Sequence, residues 1–188
     1  MQRGQSTVEF GASALVLILL LFGLIDLGRV FYFDVGLTGA VREAARQASW
    51  FDPTSPNKGC GPSANPYLCD SAIKSSVDAI LTQSNLPSSV LQNPGTTCPA
   101  TSDLNPSFNP PYQDAVYPVA TNQPSLYICY SNTAGLDLPT APVDNSYRGA
   151  DVNVILVMSF GFVSGFMQGF LGNSIHIVAN THMTVGGF

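Results

Sequence analysis

The stretch FGASALVLILLLFGLI (10–25), continued by DLGRVFYFDVGLTGAVREAARQASW (26–50), decides the fold. Residues 10–25 carry no charge, and as an α-helix they span about 24 Å. Extension to Phe33 gives about 36 Å, enough to cross a hydrocarbon core of about 30 Å. That extension takes in Asp26 and Arg29, an i, i+3 pair able to meet on one helix face at the membrane boundary. Above it, Leu37, Val41, Ala44 and Ala48 keep a helical stripe, and Ala40, Ala44 and Ala48 leave one flank small enough for close packing. Pro53 marks the stop, since the residue before a proline is disfavoured in helix. The spacing therefore predicts one helix from about Ser6 to about Trp50, about 67 Å long, with its lower part in lipid and a domain on its upper part.

Composition agrees with a membrane anchor. Only 10% of the 188 residues are charged and mean hydropathy is +0.20, values high in apolar content for a freely soluble chain. Net charge is −5, and beyond Trp50 the acids outnumber Lys58, Lys74 and Arg148, so no basic cluster is present to hold nucleic acid. Arg3 and the α-amino group favour a cytoplasmic N-terminus, although Arg29, Arg42 and Arg46 count in the other direction. The apolar run exceeds that of a removable secretory signal and lacks an A-x-A site, which favours an uncleaved anchor. Cys60, Cys69, Cys98 and Cys129 lack the paired spacings of a zinc site and suit disulfides in an oxidising compartment. Three connectivities are open. Pairing Cys60 with Cys69 and Cys98 with Cys129 is favoured, with reduced, buried thiols as the alternative.

Glu9, at the edge of the apolar run, has two readings. Ser6-Thr7-Val8-Glu9 fits a capping box at a helix start. Alternatively, a carboxylate carried into lipid is costly and calls for a positive partner on a neighbouring molecule.

Gly4 followed by Gln5-Ser6-Thr7-Val8-Glu9-Phe10 resembles the prepilin-peptidase site of the Tad/Flp branch of type IV pilins. LIDLGRVFY (24–32) and VREAAR (41–46) narrow this to a resemblance to the TadE-like pseudopilins, strong over residues 4–49, weaker near the C-terminus and absent between. The resemblance implies a minor pilin or pseudopilin that helps assemble or prime a Tad/Flp-type pilus. It implies cleavage between Gly4 and Gln5 by an inner-membrane prepilin peptidase, which leaves Glu9 and Phe10 to dock on an adjacent subunit, with Glu9 neutralising that subunit's new terminal amine. The partners it implies are that peptidase, other pilins, the Tad assembly platform and membrane lipid. The place it implies is a single-pass position in the inner membrane or association with the pilus. The rival class is a membrane-anchored extracytoplasmic binding module or hydrolase.

The predicted organisation is a leader (1–4), the long helix (5–50, membrane part about 10–33) and an extracytoplasmic domain (51–188). Residues 51–70 are turn-forming throughout. A short helix follows, capped by Asp70 or Ser71 and burying Ile73, Val77, Ile80 and Leu81. A Pro-rich insert runs over about 86–124. LYICYS (126–131), DVNVILVMSF (151–160) and SIHIVANTHMTV (174–185) read as strands. The fold class is thus α+β: a long N-terminal transmembrane and amphipathic helix, a small antiparallel sheet and disulfide-pinned loops. Residues 152–172 carry no charge and hold Gly161, Gly165 and Gly169 at GxxxG spacing, so a second membrane helix is the competing reading there. As a connection between strands, Phe162, Phe166, Met167, Phe170 and Leu171 would instead form an apolar patch for a partner or a membrane.

No enzyme is expected. His176 and His182 share a strand face but stand about 20 Å apart, too far for one metal. No nucleophile elbow, phosphate loop, metal motif or cofactor motif appears.

Overall fold

The computed structural model describes residues 3–50, 70–92, 98–99, 110–131 and 151–186. Helix α1 runs without interruption from Arg3 to Ala48. Its lower half is exposed and apolar, while Leu37, Ala40, Val41, Ala44, Ala45 and Ala48 are fully buried. It is long and apolar enough to cross a membrane.

Helix α2 (Asp70–Gln83) packs against α1 through Ile73, Val77 and Leu81, with Ile80 half-buried. The small flank of α1 permits this approach. At Gly36 a Cβ would come within 2.4 Å of Leu86 Cδ1, just beyond α2, so the chain closes onto the bare backbone. Tyr32 adds a hydrogen bond from its hydroxyl to the Ser84 carbonyl.

Among the described residues, four strands form one sheet in the order β1 (Val90–Leu91), β2 (Ser125–Ser131), β3 (Asp151–Gly161) and β4 (Ser174–Thr184). The β2–β3 and β3–β4 pairs are antiparallel, as expected. The two-residue β1 pairs parallel to β2, which makes the sheet mixed. Nothing in the alternation of residues announces β1, because it is too short and lies inside the Pro-rich insert.

The central strand explains the ambiguity of 152–172. Every residue from Val152 to Phe160 is buried. Val152, Val154, Leu156, Met158 and Phe160 face α1 and α2, whereas Ile155 and Val157 face a second cluster with Cys98, Tyr112 and Cys129. A strand covered on both faces reads as a continuous apolar run, like a membrane helix. It is a strand, and the only helix after it in this region is the short α3 (Gly165–Leu171).

The second face is closed by the part of the insert around Tyr112 and Tyr117, tied to β2 by the Cys98–Cys129 disulfide. Burial pushes the Tyr112 phenol well above its ordinary range, with Tyr117 nearby adding to the effect. Cys60 and Cys69 lie outside the described residues. At the top, the Gly186 N–H donates to the Ser49 carbonyl at 3.1 Å, which ties the end of the sheet to the end of α1.

Asp78 joins α2 to the turn leading into β1. Its Oδ1 accepts the Ser89 N–H and hydroxyl, each at 2.7 Å, and Oδ2 pairs with Lys74. Burial acts to raise its pKa, but these hydrogen bonds and the Lys74 charge outweigh it and hold the carboxyl below its usual 3.8. A depressed pKa adds stability above the unfolded value that is lost as pH falls through the folded one. Asp78→Asn is therefore expected to cost about 1–3 kcal/mol at neutral pH, with the gap from wild type closing below about pH 4. Chemical denaturation in detergent across pH checks this; a gap independent of pH would contradict it.

Candidate functional site

Two regions of α1 carry the residues of interest. Gly4 and Gln5 lie in its first turn. Glu9 and Phe10 follow on exposed helix, with Phe10 74% exposed. Because α1 begins at Arg3, Ser6 sits inside the helix and not at its cap. A capping box at Ser6 and Glu9 would need a helix that starts later than it does in this chain.

The second region is the lower rim of the domain, where Asp26 is 1% exposed on the flank of α1. Its carboxylate accepts the Val163 N–H at 3.1 Å on one oxygen, and the Ser164 N–H at 3.1 Å and the Ser164 hydroxyl on the other. The predicted partner Arg29 also reaches it, at 3.4 Å. The same Ser164 oxygen accepts the Met167 N–H and caps α3. One acid therefore holds both the entry to α3 and the cap of α3. Arg29 lies 5.0 Å from the centre of the Phe160 ring. Phe33 and Phe162 each meet Phe160 edge-on, at 5.4 and 5.8 Å. The domain thus begins at Asp26, well below Phe33, and covers one side of α1 from there upward.

The predicted apolar patch is only partly a surface. Phe162 is 6% exposed and belongs to the core through its contact with Phe160, so it is not available to a partner. Met167 is half-buried against the core and reaches toward Gly23 of α1. Phe166 and Leu171 are exposed, together with Val163, which the sequence reading did not include. The side chain of Phe170 lies outside the described residues.

Elsewhere the polar groups pair locally. His176 stacks on Tyr117 at 3.8 Å, and His182 Nδ1 lies 2.8 Å from Asp151. Near the top of α1, Glu43, Arg46, Gln47 and Trp50 line an open cleft. There the Arg46 hydrogen bond, opposed by slight burial and aided by its charge, holds the Glu43 carboxyl below its ordinary range. Among the described residues no group of three or more His, Cys, Asp or Glu is placed to hold a metal.

Among the described residues, one apolar helix that is long enough to cross a membrane leaves its lower half bare and carries an α+β head on its upper half. Residues 4–46, from Gly4 through the Asp26–Arg29 rim to Arg46, match the family model described as TadE-like protein. No curated protein and no solved structure matches the chain. The TadE-like match supports a protein associated with a Tad-type pilus.

Val163 and Ser164 are the site residues that sequence reasoning missed. A serine just before the apolar run GFMQGF was the available cue, as a helix cap. Removing the acid should expose their role. Asp26→Ala leaves two N–H groups, a hydroxyl and Arg29 without their acceptor, and is expected to lower unfolding stability of the full chain in micelles by about 3 kcal/mol. A loss below about 0.5 kcal/mol, the scale of an exposed ion pair, would contradict the structural role.

Proposed function

We propose that this chain is a minor pilin or pseudopilin that helps prime or assemble a Tad/Flp-type pilus from the inner membrane, after processing by a prepilin peptidase. The TadE-like match over residues 4–46 carries the reading. It includes Gly4, Gln5, Glu9 and Phe10, and it lies on one unbroken helix.

The physical sequence of events follows from those residues. With the N-terminus cytoplasmic and residues 51–188 outside, cleavage between Gly4 and Gln5 creates a charged amine at the start of an apolar helix. Glu9 lies about 6 Å further along the axis. An acid within lipid costs about 2.5–3.5 kcal/mol on an insertion scale, and so does a bare cation. Pairing Glu9 of one subunit with the terminal amine of the next removes both penalties and sets the stagger between neighbouring helices. Phe10 and the exposed leucines above it supply the apolar contact. The assembly platform and other pilins are the partners, and no reaction is assigned to the chain itself.

N-terminal mass spectrometry separates the steps. The wild-type chain, expressed with an active prepilin peptidase, is expected to begin at Gln5, and Gly4→Ala to retain Met1. Glu9→Gln should be processed normally yet assemble poorly, because glutamine carries no charge to pair with the amine. A wild-type chain that retains Met1 beside the active peptidase would overturn the processing claim. Normal pilus output from Glu9→Gln would overturn the docking role.

A further inference from the structure

We infer that α3 is an interfacial membrane helix: it lies in the outer-leaflet boundary of the bilayer and fixes the depth at which α1 crosses it. This rests on α1 spanning a membrane, and not on the pilus role.

Four observations converge. First, the position of α3 is set by Asp26 through Val163 and Ser164, and a Cβ on Gly23 would lie 3.8 Å from Met167 Sδ. That is the level at which the bare apolar belt of α1, with Leu20, Leu24 and Leu27 all exposed, meets the domain. Secondly, Val163, Phe166 and Leu171 are 74, 38 and 53% exposed, so apolar side chains of the α3 segment face outward at the level where Met167 approaches Gly23. No ionisable residue occurs between Asp151 and His176.

Thirdly, several polar groups of α3 are already bonded within the segment. Ser164 caps its start, the Gly172 N–H donates to the Gln168 carbonyl at 3.1 Å, and Gln168, its one polar side chain, donates to the Phe162 carbonyl at 3.0 Å. Bonds of this kind lower the cost of bringing backbone near lipid, where groups must be satisfied internally. Fourthly, at about 10 Å α3 is far too short to cross a bilayer. A short apolar helix held beside a membrane-crossing one at this level suits a position along the interface.

The consequence reaches the other end of α1. With the outer boundary at Gly23–Asp26, a hydrocarbon core of about 30 Å ends near Ser6. Glu9 then falls within the inner leaflet, where a charge-bearing neighbour has most effect.

Depth-dependent fluorescence quenching tests this on the full chain in phosphatidylcholine nanodiscs containing doxyl-labelled lipid. Phe166→Trp and Leu171→Trp are each made in a Trp50→Phe background. Trp50 of the wild type serves as the control outside the bilayer, and Leu17→Trp in the same background as the control near mid-membrane. The α3 tryptophans should be quenched about twofold or more beyond Trp50, most strongly by a label high on the acyl chain, and Leu17→Trp most strongly by a deep label. Quenching at 166 and 171 no greater than at Trp50, with Leu17→Trp still quenched, would overturn the inference and leave the span intact. An unquenched Leu17→Trp would remove the span itself, and with it both this inference and the anchor.

Discussion

The Asp26 carboxylate is buried on the side of an otherwise apolar helix, and a buried acid is tolerated only when its charge is met by donors. Arg29 meets part of it. The larger share comes from a loop 137 and 138 residues away in sequence, which brings two backbone N–H groups and a hydroxyl to the same two oxygens. Satisfying this one group fixes where the β3–α3 turn sits on α1, and hence the height of the sheet above the bare half of the helix. The Phe33–Phe160–Phe162 cluster and the Arg29 guanidinium close over the same point, so the domain is joined to the apolar half of α1 at this point.

Above that joint the fold is an economical use of one central strand. β3 is covered by α1 and α2 on one face and by the disulfide-tied insert on the other. The Pro-rich insert therefore contributes a layer of the core, although its composition reads as surface loop. Cys98 and Cys129 hold that layer to β2.

How much of this was legible follows from whether the controlling signal is local. The length of α1, the stripe of α2 and the strands at 125–131, 151–161 and 174–184 all announce themselves in apolar spacing, and the structure places them within about three residues of expectation. β1 was not legible, since two residues carry no period. The run at 152–172 was ambiguous because burial on both faces erases the alternation that distinguishes strand from helix. At the site, Asp26–Arg29 was readable as an i, i+3 pair, but the dominant partners of Asp26 were not. They are mostly backbone N–H groups, which have no signature in side-chain identity. Phe162 was misplaced on the surface for a different reason: the strand reads as ending at Phe160, whereas Phe162, two residues on, keeps to the same buried face.

Amide hydrogen exchange on the full chain in nanodiscs reports whether α1 and the domain form one body joined at Asp26. The account predicts that the amides of Val163 and Ser164 exchange as slowly as those of β3 and of α1 over residues 30–48, and that all of them lose protection together when the domain unfolds. Rapid exchange at Val163 and Ser164 while β3 and β4 stay protected would show that the loop is not held by Asp26, and would contradict it.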